Sequence, residues 1–141
     1  LMQFIEGGAI LPANVVPWLV KQSGANADQF AVEAKASNAV IGNLIFHEWF
    51  APETYELGWV IAPDQQRQGY ATEAAIAVMH YAFEQLDAHR LIATCQPENV
   101  ASWRVMEKIG MRREGHFRAC LKQKSGEWWD ELFYARLRED R

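Results

Sequence analysis

The stretch Gln66–Ala74, QRQGYATEA, converts a predicted strand into a predicted helix through a turn that contains Gly69. The first N–H groups of a helix have no partner within the helix, and its aligned peptide dipoles place partial positive charge there. Gly69 has no Cβ, so a ligand can approach the main chain closely. Arg67 and the side-chain amides of Gln66 and Gln68 add donors. The junction is a candidate anion site, although tight turns also need glycine for steric reasons alone.

Periodicity predicts the elements on either side of this turn. Apolar residues recur at three- and four-residue spacing over Ala71–Leu86, which is typical of an amphipathic helix. The segment TYELGWVI before the turn predicts a strand over Tyr55–Ile61, and Arg90–Cys95 predicts another after the helix. A strand, a helix and a strand in succession predict a βαβ crossover between parallel strands.

The turn also carries a recognisable spacing, Q-x-x-G-x-A over Gln66–Ala71. It lacks the G-x-G-x-x-G triplet of dinucleotide sites and the G-K-[ST] ending of nucleoside-triphosphate loops. The hexapeptide resembles the acyl-CoA pyrophosphate loop of the GNAT acetyltransferases, whose pattern is Q/R-x-x-G-x-G/A. That resemblance implies acetyl-CoA as a co-substrate. It implies that the pyrophosphate is held by Gln66, Arg67, Gln68, Gly69, Tyr70, Ala71 and Thr72.

A second stretch, ENVASWRVMEKIGM over Glu98–Met111, resembles the segment after the second parallel strand in GNAT enzymes of the RimJ/RimL type. There an Asn followed three residues later by a Ser lines the CoA arm, which implies this role for Asn99 and Ser102. From the residues themselves, Asn99 is an N-cap for a helix that runs to Ile109 and ends at Gly110. Capping without a ligand is the alternative, and both roles can coexist.

Acetyl transfer to an amine needs a neutral amine, a stabilised oxyanion and a proton for the departing thiolate. It needs no covalent intermediate. Glu56 lies on the face of its strand opposite Tyr55, Leu57 and Trp59, beside aromatic surface that would raise its pKa. The family's matching E-[IL]-G motif implies that Glu56 is the catalytic base. The alternative is an ordinary solvent-facing strand residue.

The resemblance implies that Ser102 protonates the thiolate, or only hydrogen-bonds the sulfur or the pantetheine arm. Backbone N–H groups near Val60 and Ile61 would polarise the thioester carbonyl if the strand opens or bulges there, and Gly58 makes that possible. The alternative acids are the tyrosines Tyr55, Tyr70, Tyr81 and Tyr134.

The remaining sequence completes a single domain over residues 1–141. A short helix is predicted over Pro12–Lys21. The fold class is α/β (α+β), with a mixed, mostly antiparallel sheet, a central parallel pair and helices on both faces. This resembles the GNAT fold from its second helix onward, which implies that the family's first strand and helix would lie before Leu1. Further strands are predicted over Gln29–Ala34, Val40–Trp49, Met111–Leu121 and Trp128–Leu137.

Charge and composition exclude several classes of protein. The net charge of −4 argues against nucleic-acid binding. Residues 1–60 hold six acidic against two basic side chains, whereas residues 101–124 hold seven basic against two acidic ones. This asymmetry fits a polyphosphate near the basic segment and a cationic amine near the acidic one, although ordinary solvated faces are the alternative. No apolar run approaches the ~20 residues of a membrane span, which predicts a cytoplasmic protein.

No metal is predicted, because the histidines and cysteines lack ligand spacing. They are His47, His80, His89, His116, Cys95 and Cys120. Both cysteines are expected to be reduced. A tryptophan of the Trp128–Trp129 pair is a candidate for the acceptor pocket. Open sheet edges allow a homodimer.

The sequence therefore predicts an acetyl-CoA-dependent N-acetyltransferase that acts on a protein N-terminal or small-molecule amine. The alternative is a catalytically silent acyl-CoA sensor or interaction domain, which would keep the loop but need no base.

Overall fold

The computed structural model describes residues 28–140. The helix predicted over Pro12–Lys21 lies outside the described residues. Every element predicted within them is present, with its ends within one residue of the prediction. In chain order the elements are β1 (Gln29–Ala34), β2 (Ala39–Glu48), β3 (Thr54–Ile61), a 3₁₀ turn (Pro63–Gln65), α1 (Tyr70–Gln85), β4 (Arg90–Cys95), α2 (Val100–Lys108), β5 (Arg112–Lys122) and β6 (Trp128–Leu137).

The strands form one six-stranded sheet in the order β1-β2-β3-β4-β6-β5. Only β3 and β4 run parallel, and α1 connects them. The other neighbours are antiparallel, including the β5–β6 hairpin at the edge. The predicted mixed sheet with one central parallel pair is therefore confirmed.

The main core lies between the sheet and the two described helices. Alternate residues of β2, β3, β4 and β6 share one face because successive side chains of a strand point to opposite sides. On that face Leu57, Leu91 and Tyr134 are among the most completely buried side chains. They form one apolar cluster with Met79 of α1 and Met106 of α2. Both described helices cover this face, so the prediction of helices on both faces stays a prediction.

Two glycines in the sheet and its turns have clear structural reasons. A Cβ on Gly42 would lie 2.2 Å from the carbonyl oxygen of Val60, so β2 and β3 can approach each other only because position 42 is glycine. The β1–β2 register shifts beside it, between Val32 and Glu33. This confirms the close approach or bulge expected at a glycine within a strand. Gly126 adopts φ +91° in the β5–β6 turn, which favours glycine.

Candidate active site

The site begins where the parallel pair opens. β3 pairs with β4 over only three residues of each strand, from Thr54 opposite Arg90 to Glu56 opposite Ile92. Beyond Glu56, β3 continues to Ile61 paired with β2 alone, and β4 continues paired with β6 alone. The β2–β3 register has no shift, so the strand opens rather than bulges. Backbone groups of β3 that face β4 beyond Glu56 are thereby left without a sheet partner.

Backbone alternation identifies these groups. Thr54 and Ala62, at the two ends of β3, both make backbone hydrogen bonds to β2. In an antiparallel ladder alternate residues bond to the same neighbour, so the N–H of Val60 also points to β2. The oxyanion role predicted for the N–H groups near Val60 and Ile61 stays a prediction. In that stretch the N–H groups of Trp59 and Ile61 face the opening, and the N–H of Val60 faces β2.

The turn Gln66–Thr72 is attached to the end of β3. The Gln66 side-chain amide donates to the carbonyl oxygen of Ile61 at 2.9 Å. Gln68 reaches the Asp64 carbonyl oxygen at 3.5 Å. Both side chains were predicted as ligand donors, yet here they bond the turn itself, so Gln66 in particular positions the loop beside the opening.

The N-terminus of α1 is free to accept an anion. Gly69 is its N-cap, with φ 85° and ψ 0°, and no side chain caps the helix. A Cβ built on Gly69 would meet no atom within 4 Å, so the space in front of the helix is open. Arg67 also has a positive φ, 63°, which is uncommon for a residue with a Cβ and brings a cation to this turn. The unpartnered N–H groups, the open space and the cation fit a phosphate.

The second predicted segment lies at the end of β4, on the other side of the opening. The Asn99 side-chain oxygen accepts from the Ser102 N–H at 3.3 Å, which confirms that Asn99 caps α2. The Ser102 side chain is near the Cys95 thiol at the end of β4 and acts to lower its pKa, against the larger opposing effect of burial. Burial raises the pKa of the Cys95 thiol to about 11, so it is protonated at neutral pH. Ser102 is the available hydroxyl here, and Cys95 is a buried, free thiol as expected.

Glu56 lies at the last paired position of β3, on the face away from the helices. Its carboxylate is 3.5 Å from His47 Nε2, and 31% of its side chain is exposed. Burial raises the pKa of the Glu56 carboxyl, His47 lowers it and Glu131 raises it. The raised pKa was predicted from the aromatic surroundings. A carboxylate with raised proton affinity at the closed end of the opening can accept a proton from an amine.

The contacts of the four tyrosines bear on which of them could protonate the thiolate in place of Ser102. The Tyr134 hydroxyl donates to Glu107 at 3.2 Å, and burial followed by this hydrogen bond raises the pKa of Tyr134. Tyr55 stacks on Phe46 at 5.0 Å between ring centroids, and Tyr81 meets the same ring edge-on. Tyr134 belongs to the core and Tyr55 packs against it, whereas Tyr81 is 46% exposed on α1. Tyr70, the first residue of α1, is the one that lies beside the loop.

Two side chains that the sequence did not single out share the face of Glu56. Alternation along β6 places Glu131 and Phe133 on this face, together with Trp129 of the tryptophan pair. Trp128 faces the other way and is exposed. The alternating sequence WWDELFY carried this signal, but its register against β4 could not be read from the sequence.

Metal-ligand clusters and membrane-spanning helices are both absent from the described residues. Within residues 28–140 no group of three His, Cys, Asp or Glu side chains is placed to hold a metal ion. No helix in the same range has the length and apolar character needed to cross a membrane. His47 and His116 instead pair with carboxylates, at 3.5 Å from Glu56 and 2.7 Å from Asp130.

Comparison with known proteins agrees with this geometry. Residues 5–112 match the family described as Acetyltransferase (GNAT) domain. The uncharacterized N-acetyltransferase YnaD of Bacillus subtilis (strain 168) is 46% identical over 140 residues, 99% of this chain and 82% of the relative. A crystal structure of a GNAT-family acetyltransferase from Bacillus anthracis superposes with a TM-score of 0.91 and 45% identity, covering 98% of this chain and 81% of that one.

A more distant structure shares the fold alone. The ribosomal-protein-S5-alanine acetyltransferase from Vibrio fischeri superposes with a TM-score of 0.76 at 22% identity, over 90% of this chain and 70% of that one. The family match covers most of the sequence, and the relatives at 45–46% identity are acetyltransferases. The chain belongs to the GNAT family of acetyltransferases and has its mixed α/β fold.

Proposed function

We propose that this acetyltransferase moves an acetyl group from acetyl-CoA to a primary amine by direct attack in a ternary complex. One observation carries the proposal. The opening between β3 and β4 has an uncapped helix N-terminus and Ser102 beside it, and the carboxylate of Glu56 at its base on the opposite face of the sheet. A donor and an acceptor entering from the two faces would meet at this opening.

Gln66–Thr72 and the second segment would hold acetyl-CoA. The N–H groups at the start of α1 and the Arg67 side chain suit its pyrophosphate. The capped start of α2 borders the path of the pantetheine arm, so Asn99 has a structural role and a proposed ligand role together. The N–H groups of Trp59 and Ile61 suit the oxyanion of the thioester carbonyl, since they point into the opening and have no sheet partner.

The proton balance assigns the remaining roles. An amine arrives as its ammonium form, loses one proton to Glu56, directly or through water, and attacks the carbonyl carbon. As the C–S bond breaks, the thiolate takes a proton, for which Ser102 is the proposed donor. The second amine proton leaves as the amide forms and, through water, replaces the proton that Ser102 gave up, while Glu56 releases its proton to solvent. Serine is a weak acid, so a hydrogen bond from Ser102 to the sulfur is the minimum role consistent with its position.

The acceptor class within primary amines is a protein N-terminal amine or a small-molecule amine, in a cytoplasmic enzyme of RimJ/RimL type. Two features support the subtype: the Asn99 and Ser102 spacing, and a shared fold with an enzyme that acetylates an alanine of a ribosomal protein. The fold alone does not fix the acceptor. The possible homodimer and the span of the single domain over residues 1–141 remain predictions of the same kind.

Titration calorimetry with acetyl-CoA, followed by thiol release against a panel of amines and N-terminal peptides, tests this proposal. Glu56→Gln should lower kcat by roughly 10²–10⁴-fold while acetyl-CoA affinity stays nearly unchanged. Glu33→Gln, an exposed glutamate in β1, is the matched control and should keep wild-type turnover. Binding without turnover for any acceptor, with Glu56→Gln indistinguishable from wild type, would favour the acyl-CoA sensor instead.

A further inference from the structure

Four aromatic rings form a continuous strip on the face that carries Glu56. Trp49 and Phe50, in the loop after β2, lie 3.9 Å apart between ring centroids, and Trp49 reaches Phe133 of β6 at 5.8 Å. Phe117 of β5 lies 5.8 Å from the same Phe133 ring. We call Trp49, Phe50, Phe117 and Phe133 the aromatic strip. Its outer members are exposed, Phe50 by 84% and Phe117 by 48%.

A second carboxylate lies within this strip. Glu131 is directly opposite Phe117 in the β5–β6 pairing and two residues from Phe133 along β6. Its charge acts on Glu56, since it is one of the causes that raise the pKa of the Glu56 carboxyl. Among residues 28–140, no lysine or arginine forms an ion pair with Glu56 or Glu131, and His47 is the one basic partner of Glu56. Within the described part of the chain this face therefore carries two carboxylates bordered by aromatic surface, and only Glu56 has a basic partner.

From this arrangement we infer that the acceptor is a primary amine carried on an aromatic or similarly flat apolar body, and that Glu131 helps to hold its ammonium group. The inference rests on the proposed function, because it assigns the acceptor class of the same site. Two carboxylates alone would attract any ammonium ion. Exposed rings next to them favour a cation that brings its own apolar surface, through ring stacking and through attraction of the cation to the ring faces.

The alternative acceptor is an aliphatic diamine. Its second ammonium group would gain from two carboxylates, but its chain offers little surface to four aromatic rings. An aromatic amine uses both features, with the ammonium group between Glu56 and Glu131 and the ring on the strip. Glu131 also raises the proton affinity of Glu56, so one charge contributes to binding and to proton removal.

Thiol release by the wild-type chain with 2-phenylethylamine, butylamine and putrescine tests the inference. We expect kcat/KM for phenylethylamine to exceed that for butylamine by about tenfold, the order of one good aromatic contact. Phe133→Leu and the exposed Phe117→Leu should each lower kcat/KM for phenylethylamine more than kcat/KM for butylamine, and so reduce this ratio. Trp128→Leu, an exposed aromatic of the same hairpin on the other face, is the control and should keep the ratio.

Glu131→Gln supplies an independent readout. We expect a higher KM for every amine, and an acid limb of kcat/KM shifted to lower pH because removing a negative neighbour lowers the pKa of Glu56. Equal turnover of phenylethylamine and butylamine, a preference for putrescine, or an unshifted limb in Glu131→Gln would overturn the inference and leave the proposed function standing. Acetyl-CoA binding with turnover of no amine would instead remove the proposed function, and the inference with it.

Discussion

The two halves of the β3–β4 pair contrast sharply. In the closed half, Thr54–Glu56 pairs with Arg90–Ile92, and Leu91 is fully buried under α1. In the open half, Leu57–Ile61 and Ala93–Cys95 lie apart, each bonded only to an outer neighbour. In the closed half the backbone hydrogen-bonding groups of β3 and β4 pair with each other. In the open half the groups that face the opening have no sheet partner, and they are the ones proposed to contact a ligand. One pair of strands thus supplies both a fixed frame and the opening at which acetyl transfer is proposed.

Gly69→Glu should have the largest effect, because it places a carboxylate in the loop beside the open half, where the pyrophosphate is proposed to bind. Juxtaposed like charges cost several kcal/mol, so acetyl-CoA affinity should fall by more than about a hundredfold. Gly126→Glu is a matched control, since Gly126 also has a positive φ and open space around it. The control suffers similar backbone strain and should bind acetyl-CoA as the wild type does. Calorimetry on both folded variants checks this, and an equal loss in both would remove the loop from the site.

Leu91→Ala and Val60→Ala compare the stability of the two halves. Leu91 is fully buried, so its truncation should lower the free energy of unfolding by about 2–5 kcal/mol. Val60 is half-buried in the open half, and its truncation should cost about 1 kcal/mol. Urea unfolding of both variants measures the difference. Equal losses would mean that the open half supports the fold as much as the closed one.

The sequence predicted the elements well because their signals are local. Apolar spacing, the glycine at position 69 and the Asn99 cap each act within a few residues, and the structure has all of them. The point at which β3 leaves β4 was only a conditional prediction, because nothing in TYELGWVI or RLIATC marks where pairing stops. The point at which pairing stops depends on contacts between residues far apart in the chain. The directions of the Val60 and Trp59 N–H groups depend on the same long-range pairing.

The face of Glu56 was the least predictable region for a similar reason. Glu131 and Trp49 lie far apart in sequence, and only the strand order β4-β6-β5 and the loop after β2 bring them to one surface. The motif around Gln66, by contrast, is contiguous. A site built from one segment can be recognised in a sequence. A site assembled across four strands can be recognised only when the pairing register of those strands is known.

Variants of Asn99 separate its capping of α2 from its proposed contact with the CoA arm, and we expect both effects to be smaller. Asn99→Ala removes the cap of α2 and should lower the free energy of unfolding by about 1 kcal/mol. Asn99→Ser keeps a good cap but shortens the side chain. If Asn99 also holds the CoA arm, both variants should raise the KM for acetyl-CoA while only the alanine variant is destabilised. A serine variant with wild-type KM would leave Asn99 with capping as its sole role.

The smallest expected effect concerns the charges that set the proton affinity of Glu56. His47 lowers the pKa of Glu56 and Glu131 raises it. Glu56 must be deprotonated to act as a base, so His47→Gln should move the acid limb of kcat/KM to higher pH, opposite to the shift of Glu131→Gln. Each shift should be small, because both partners are partly exposed to solvent. A pH profile of each variant and of the double variant, whose limb should return toward the wild type, checks the assignment. Shifts in the same direction would mean that the limb reports a group other than Glu56.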